Sequence, residues 1–166
     1  YKNNKATING YLEEYCFTIE ALTALYGVTF EERWLNDADV LMAYAIAHFH
    51  DRTSAMFHFT SDLDPPLVAR RKEVNDNVIP ASNSSMANAL FTLGHLLDKP
   101  AYLLMSEQML QNVKGQMKDY PTGYSNWARL MLGHVFPFYE IAITGPECLR
   151  LRQEFQVSYV PNRIFL

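Results

Sequence analysis

The sequence predicts a mainly α fold of repeated helical hairpins, with a small β-ribbon insertion and a C-terminal β-α-β segment. Three observations predict it. Apolar residues recur at three- and four-residue spacing through five stretches separated by turn residues. The spacing of one helix–turn–helix, Leu25 to Trp34, returns at Leu93 to Tyr102. Beyond position 137 the pattern changes to two short β-prone runs around a polar helix. The reading divides the chain into a helical-hairpin portion, 1–137, and a C-terminal β-α-β extension, 138–166, within one domain.

The first helix is expected over Ile8 to Tyr26. Leu12, Tyr15, Ile19, Leu22 and Tyr26 form one stripe, and Tyr11, Phe17, Ala21 and Leu25 form a second. A helix apolar on two sides is buried on two sides. Its start carries Glu13-Glu14-Tyr15, and Gly27 is expected to end it. Thr29 with Glu32 reads as a capping box opening the second helix. That helix runs to about Phe49 with a single stripe of Leu35, Ala38, Met42, Ala45 and Phe49, so it is one-sided.

Asp51 to Asp64 breaks the helical period. Met56 to Thr60 alternates and predicts a strand, and Val68 to Val74 is read as its return strand in a small ribbon. Arg70 to Leu90 follows, a dense run of charges, amides and hydroxyls that leads into an apolar helix. Pro80 disfavours helix at Ile79, and Ser82 or Asn83 is the expected N-cap of the third helix, Ser84 to Leu97. Asp98-Lys99-Pro100 turns the chain into a fourth helix, with proline in its first turn, where a missing N–H costs nothing. The fourth helix carries Tyr102, Met105, Met109, Val113 and Met117 in a stripe. A fifth, Asn126 to Val135, reads as apolar nearly all round. Tyr139 to Thr144 and Asn162 to Leu166 are the two terminal strands, around a helix at Glu147 to Gln156.

Repetition of a helical hairpin signals a stacked array or a closed toroid. Odd helices would be inner and even helices outer, and the polar loops before the odd helices would gather at one end. The fifth helix has no outer partner in this sequence. A larger chain that continues beyond these residues, or a second copy, would supply one, and the chain is expected to be a piece of a longer protein.

Composition narrows the function classes. The net charge is −4, from 14 basic and 18 acidic residues, with no basic patch of the kind a nucleic-acid binder shows. No apolar run is long enough to span a bilayer, and the first ten residues do not read as a signal peptide. The two cysteines, Cys16 and Cys148, show no CxxC or zinc spacing, and the five histidines show no HExxH. No metal or cofactor is expected, and a reducing, cytoplasmic setting is the expectation.

A helix N-terminus ringed by hydroxyls and amides suits a polar or anionic ligand. Hydrolysis of a glycosidic bond needs two carboxyls about 5–10 Å apart. Glu14 and Asp76 are the candidate catalytic pair, because adjacent inner-helix starts would bring them near each other, with Glu13 and Glu73 in reserve. Tyr15, Tyr124 and Trp127 are candidates for stacking on a sugar ring. Arg71 or Lys72 would meet a carboxylate or phosphate, with Glu73 as an alternative partner for either. Asn77, Ser82, Asn83 and Ser84 complete the ligand-binding candidates. The competing expectation is a non-catalytic interaction or scaffold module.

Five strings carry a family resemblance: GYLEEYCF at Gly10 to Phe17, ERWL at Glu32 to Leu35, FHFTS at Phe57 to Ser61, RRKEVNDNVIPASNSSMA at Arg70 to Ala87, and YPTGYS at Tyr120 to Ser125. In order and spacing they resemble the large thioredoxin-domain-containing family whose animal member is called a spermatogenesis-associated protein. The resemblance implies a partial (α/α) toroid of the six-hairpin, glycosidase-like type, preceded in the complete protein by a thioredoxin-like domain. It implies a sugar-like small molecule and the N-terminal part of the same protein as partners, with self-association of the piece as a further expectation. Glu14 stands where the family has aspartate, Cys16 where it has alanine, and Ala81-Ser82 where it has Ser-Gly. The redox cysteines of a thioredoxin domain are absent, so the resemblance assigns this piece no redox role.

Overall fold

A computed structural model describes residues 4–5, 8–65, 68–157 and 159–166. It is mainly helical. Helix α1 spans Leu12–Thr29, α2 Arg33–Phe49, α3 Ser82–Leu96, α4 Pro100–Val113, α5 Ser125–Val135 and α6 Cys148–Val157. Two short sheets complete it: β1 (His50–Asp51) with β2 (Met56–Phe57), and β3 (Tyr139–Ile141) with β4 (Arg163–Phe165).

The helices pack as the repeat requires. α1 lies against α2, α3 against α4, and α3 also contacts α1 and α5. α3 is therefore the central element, and twelve of its fifteen residues are buried. The predicted stripe of α2 (Leu35, Ala38, Met42, Ala45, Phe49) is the buried set of that helix. Ser106 Oγ on α4 donates to the Ala87 carbonyl on α3 (2.8 Å), so even the polar group at this interface is satisfied. Between the outer helices, Asp39 of α2 accepts Lys99 Nζ (2.5 Å) and Tyr102 OH (2.8 Å) at the start of α4. Burial and the Asp39 carboxylate push the Tyr102 hydroxyl pKa up.

Several boundaries differ from the sequence reading. α1 begins at Leu12 rather than Ile8 and runs through Gly27 to Thr29. The turn is taken instead by Phe30 in the left-handed region (φ 57°). Its ring packs beside Tyr26 at 5.2 Å and under the Arg152 guanidinium at 4.7 Å, contacts that offset an uncommon backbone conformation. Thr29 does not open a capping box with Glu32. It is the last residue of α1, and its hydroxyl donates to the Leu25 carbonyl and accepts the Glu31 N–H. The ribbon pairs Met56–Phe57 with the upstream His50–Asp51, antiparallel, rather than with Val68 to Val74. The four-residue turn allows this because the Asp51 carboxylate accepts Thr53 N–H (2.9 Å), Thr53 Oγ1 (2.7 Å) and Ser54 Oγ (2.9 Å), a local bond pattern aspartate offers to turns. Lys72 completes the site, and it foremost holds Asp51 well below the usual carboxylate range. α5 is buried on one side only: Trp127 and Leu130 face the core, while Met131, Leu132 and Val135 are exposed.

The last two strands pair in parallel, Tyr139 with Arg163 and Ile141 with Phe165, with α6 as the crossover. This β-α-β unit is tied to the helices by His95–Glu140 (2.7 Å) at the end of α3 and by Arg152 Nη2 to the Val28 carbonyl (2.6 Å) at the end of α1. Among the described residues, no helix is long and apolar enough to cross a membrane, and no cluster of His, Cys, Asp or Glu is arranged to hold a metal ion.

Gly94 sets the α3–α4 distance. A Cβ built there would lie 2.5 Å from Leu103 Cδ2 and 3.2 Å from the Leu103 backbone nitrogen. Gly94→Ala should destabilise the chain by about 1–3 kcal/mol, the usual cost of overpacking, seen as a lower urea midpoint with an unchanged slope.

Candidate functional site

The polar loops before α1, α3 and α5 carry most of the candidate residues, and the structure gives nearly all of them a bonding task. Asp76 is buried. Its Oδ1 accepts the Ala81 N–H (3.0 Å) and Ser84 Oγ (2.6 Å), and its Oδ2 accepts the Asn126 N–H (2.8 Å). Ala81 is the N-cap of α3 and has no side-chain oxygen, so Asp76 does from the loop what Ser82 or Asn83 was expected to do from the helix. Asn126 is the second residue of α5. One carboxylate thus satisfies orphan donors at two helix starts, with the favourable sign for both helix dipoles.

Glu14 caps its own helix. Its carboxylate accepts the Tyr11 N–H, and its N–H donates to the Tyr11 carbonyl. Asn83 Oδ1 accepts the Phe57 N–H (2.8 Å), while its Nδ2 donates to the Phe57 and Glu73 carbonyls (2.9 and 2.8 Å), so this one amide docks the ribbon onto α3. Lys72 binds Asp51 and Ser54, Tyr124 binds Gln116, and Trp127 Nε1 donates to the Val74 carbonyl. Tyr15 stacks on Tyr44 at 5.2 Å and turns toward α2. Asn77 is exposed, its N–H donating to the Ile79 carbonyl. Arg71 pairs with Glu73. Of the acids, Glu13, Glu14 and Glu73 come together with Arg71: burial raises the Glu13 pKa first, Glu14 and Glu73 add to it, and Arg71 opposes.

Buried side-chain atoms without partners occur at Trp34, Arg70 and Arg152 and, on α1 and α3, at Glu20, Ser82 and Ser85. Ser82 Oγ, Ser85 Oγ and Glu20 Oε1 are all buried with no hydrogen bond among the described residues. Ser82, Ser85 and Thr92 share one side of α3, at helical spacing. Glu20 falls two turns after Glu13 on α1, the same side. Beside them is a pocket of about 320 Å³, lined on its polar side by Glu20, Thr23, Asn88, Thr92, Arg129 and Arg163. Ala24, Gly27 and Ala89 are small and keep its floor open. Burial pushes the Glu20 pKa up; Arg129 and the Ser85 hydroxyl pull it back, without either making a bond of good geometry.

A second, apolar pocket of about 150 Å³ lies under the β-α-β unit, between Phe30, Ile141, Leu149 and Phe165. Its one charged group, Arg152, is already taken by Val28 and Phe30.

The residues of the inner pocket escape a reading by loops because they sit in mid-helix among apolar neighbours. A signal was present: Glu13, Phe17 and Glu20 on α1, and Ser85, Asn88 and Thr92 on α3, repeat at helical spacing on faces that a simple core would fill with apolar side chains.

Asp76→Ala removes the acceptor of three hydrogen bonds at once. At about 1–3 kcal/mol for each buried group left unsatisfied, with non-additivity between neighbours, the expected loss is about 3–5 kcal/mol. Hydrogen exchange should show the first turns of both α3 and α5 losing protection together; loss confined to α3 would contradict the shared cap.

No family model matches the chain. Two curated proteins are similar to it: spermatogenesis-associated protein 20 of Mus musculus and of Rattus norvegicus, each 25% identical over 162 residues. The match takes in 95% of this chain and 20% of each relative, so the chain spans about a fifth of the length of the curated proteins it resembles.

Proposed function

We propose that the inner face of α1 and α3 binds a small hydroxyl-rich molecule of carbohydrate type, as one part of a toroid of helical hairpins in a longer protein. The observation that carries this reading is Glu20, which lines an open pocket and whose buried Oε1 makes no hydrogen bond of good geometry among the described residues, with Ser85 Oγ close beside it. Buried polar groups without partners cost stability. A ligand rich in hydroxyls supplies both donors and acceptors to such groups, and Thr92 extends the same chemistry at the rim, whereas Thr23 and Asn88 already donate to backbone carbonyls. The reading stops at binding. Glu14 and Asp76, the pair suited to hydrolysis by sequence, each hold backbone N–H groups, and neither is a free acid or base.

A scaffold role for a neighbouring domain is the second reading, favoured by the exposed Met131, Leu132, Val135 and Phe136 at α5, which lacks the outer helix that α1 and α3 have. Hydrogen exchange on the complete protein would then protect α5 beyond the level seen in this chain.

Ligand-observed NMR with a panel of neutral and charged monosaccharides tests the binding reading. Saturation transfer should appear for some members and fall at least tenfold in affinity in Thr92→Val, the scale of one lost hydrogen bond. Silence across the whole panel would sink it. The stability side has its own test. Burial raises the folded-state pKa of Glu20 above its unfolded value, so the folded chain is favoured by keeping that proton and loses stability as pH rises through the folded pKa. Glu20→Gln should therefore raise Tm at pH 7, about 2–4 °C per kcal/mol for a chain of this size. The difference should shrink as pH falls below the ordinary carboxylate range.

A further inference from the structure

The polar lining of the inner pocket is not charge-balanced. Two arginines, Arg129 and Arg163, face it with one carboxyl, Glu20. The two arginines are not equivalent. Arg163 is tied down, its Nη1 donating to the Phe155 carbonyl (3.0 Å) and its guanidinium lying 5.1 Å over the Phe165 ring. Arg129 is exposed and forms no ion pair among the described residues. It stands near enough to act on Glu20 electrostatically, yet the pair is not closed. Between them lies the open volume, with the orphaned Glu20 Oε1 at its α1 wall. A guanidinium held open beside buried hydroxyl and carboxyl groups has the donor fork that meets a carboxylate or phosphate.

We propose that this pocket takes an anionic polyhydroxylated ligand, a carboxylate or a phosphate ester, with its negative group on Arg129 and its hydroxyls toward Glu20 and Thr92. The proposal rests on the binding reading above and adds the charge of the ligand. Glu20 is the acceptor for a ligand hydroxyl, and its own negative charge is disfavoured by burial, which lessens its repulsion of an anion. Asn88 is not a free arm of the site, because its Nδ2 already donates to the Ser84 and Asn126 carbonyls.

The test compares glucose, gluconate and glucose 6-phosphate by titration calorimetry with the chain, at about 50 and 500 mM salt. The expected result is binding of at least one anion at least tenfold tighter than glucose, weakened by salt. Arg129→Gln should abolish that advantage, while Arg129→Lys, which keeps the charge without the fork, should retain part of it. The two anions distinguish a carboxylate from a phosphate preference. Equal binding of glucose and both anions, unaffected by Arg129→Gln, would overturn the anionic assignment and leave the binding reading standing. Absence of binding by all three, together with silence across the wider panel, would overturn both. Arg129 is exposed, so its replacement should leave Tm within about 1 °C; far-UV circular dichroism confirms that the variant is folded.

Discussion

The structure depends on one carboxylate. Asp76 lies in a loop, outside every helix, yet accepts hydrogen bonds from the first turns of α3 and α5, and its own N–H donates to the Gly123 carbonyl in the loop before α5 (2.8 Å). Two inner helices therefore begin at a common point. α3 is the helix that every other hairpin element touches, so the position of its first turn fixes the rest. Asn83, in the same turn, extends the constraint to the ribbon by gripping both backbone groups of Phe57. Buried bonds of this kind are costly to leave half-made, and their mutual satisfaction selects one arrangement over its neighbours.

This constraint explains why the polar loops hold so little free chemistry. Dense side-chain hydrogen bonding at the entrances of α1, α3 and α5 is what lets irregular backbone pass close to a packed core. Residues that are polar because the backbone needs them resemble, in sequence, residues that are polar because a ligand needs them. The difference appears only in the partner count. Asp76, Asn83 and Ser84 have full sets of partners; Ser82, Ser85 and Glu20 each keep an atom without one. Unsatisfied atoms also occur at Trp34, Arg70 and Arg152, but Glu20 is the one that lines the pocket between α1 and α3. Holding such groups buried without partners costs stability.

The outer layer is governed by ordinary packing. The one-sided stripe of α2, the proline-led start of α4 and the Asp39–Lys99–Tyr102 cluster join the two outer helices, while α5 presents Met131, Leu132 and Val135 to solvent. The β-α-β unit is attached through His95–Glu140 and Arg152–Val28, bonds at helix ends, and through Phe138, which packs edge-on against Phe91 of α3 at 4.9 Å.

The sequence by itself determined the helical class, the hairpin repeat, the buried stripe of α2 and the terminal β-α-β, because each is a matter of local period and turn chemistry. Leu35, Ala38, Met42, Ala45 and Phe49 could be assigned from spacing alone, since a one-sided helix has a single face to bury. Only the tertiary structure decided where α1 ends, which strand Met56–Phe57 joins, and which polar residues are free. Gly27 carries a stop signal, but Phe30 packs on Tyr26 one turn back, finds Arg152 across the fold, and takes the turn instead. Asp76 reads as an acid near a helix start, and becomes a double cap because Asn126, fifty residues on, brings its N–H to the same carboxylate. Glu20 reads as one acid on a helix, and only the fold brings Ser85 of α3 and Arg129 of α5 beside it at one pocket. Partners so distant in sequence leave no local pattern, and contact between them exists only once the helices have packed.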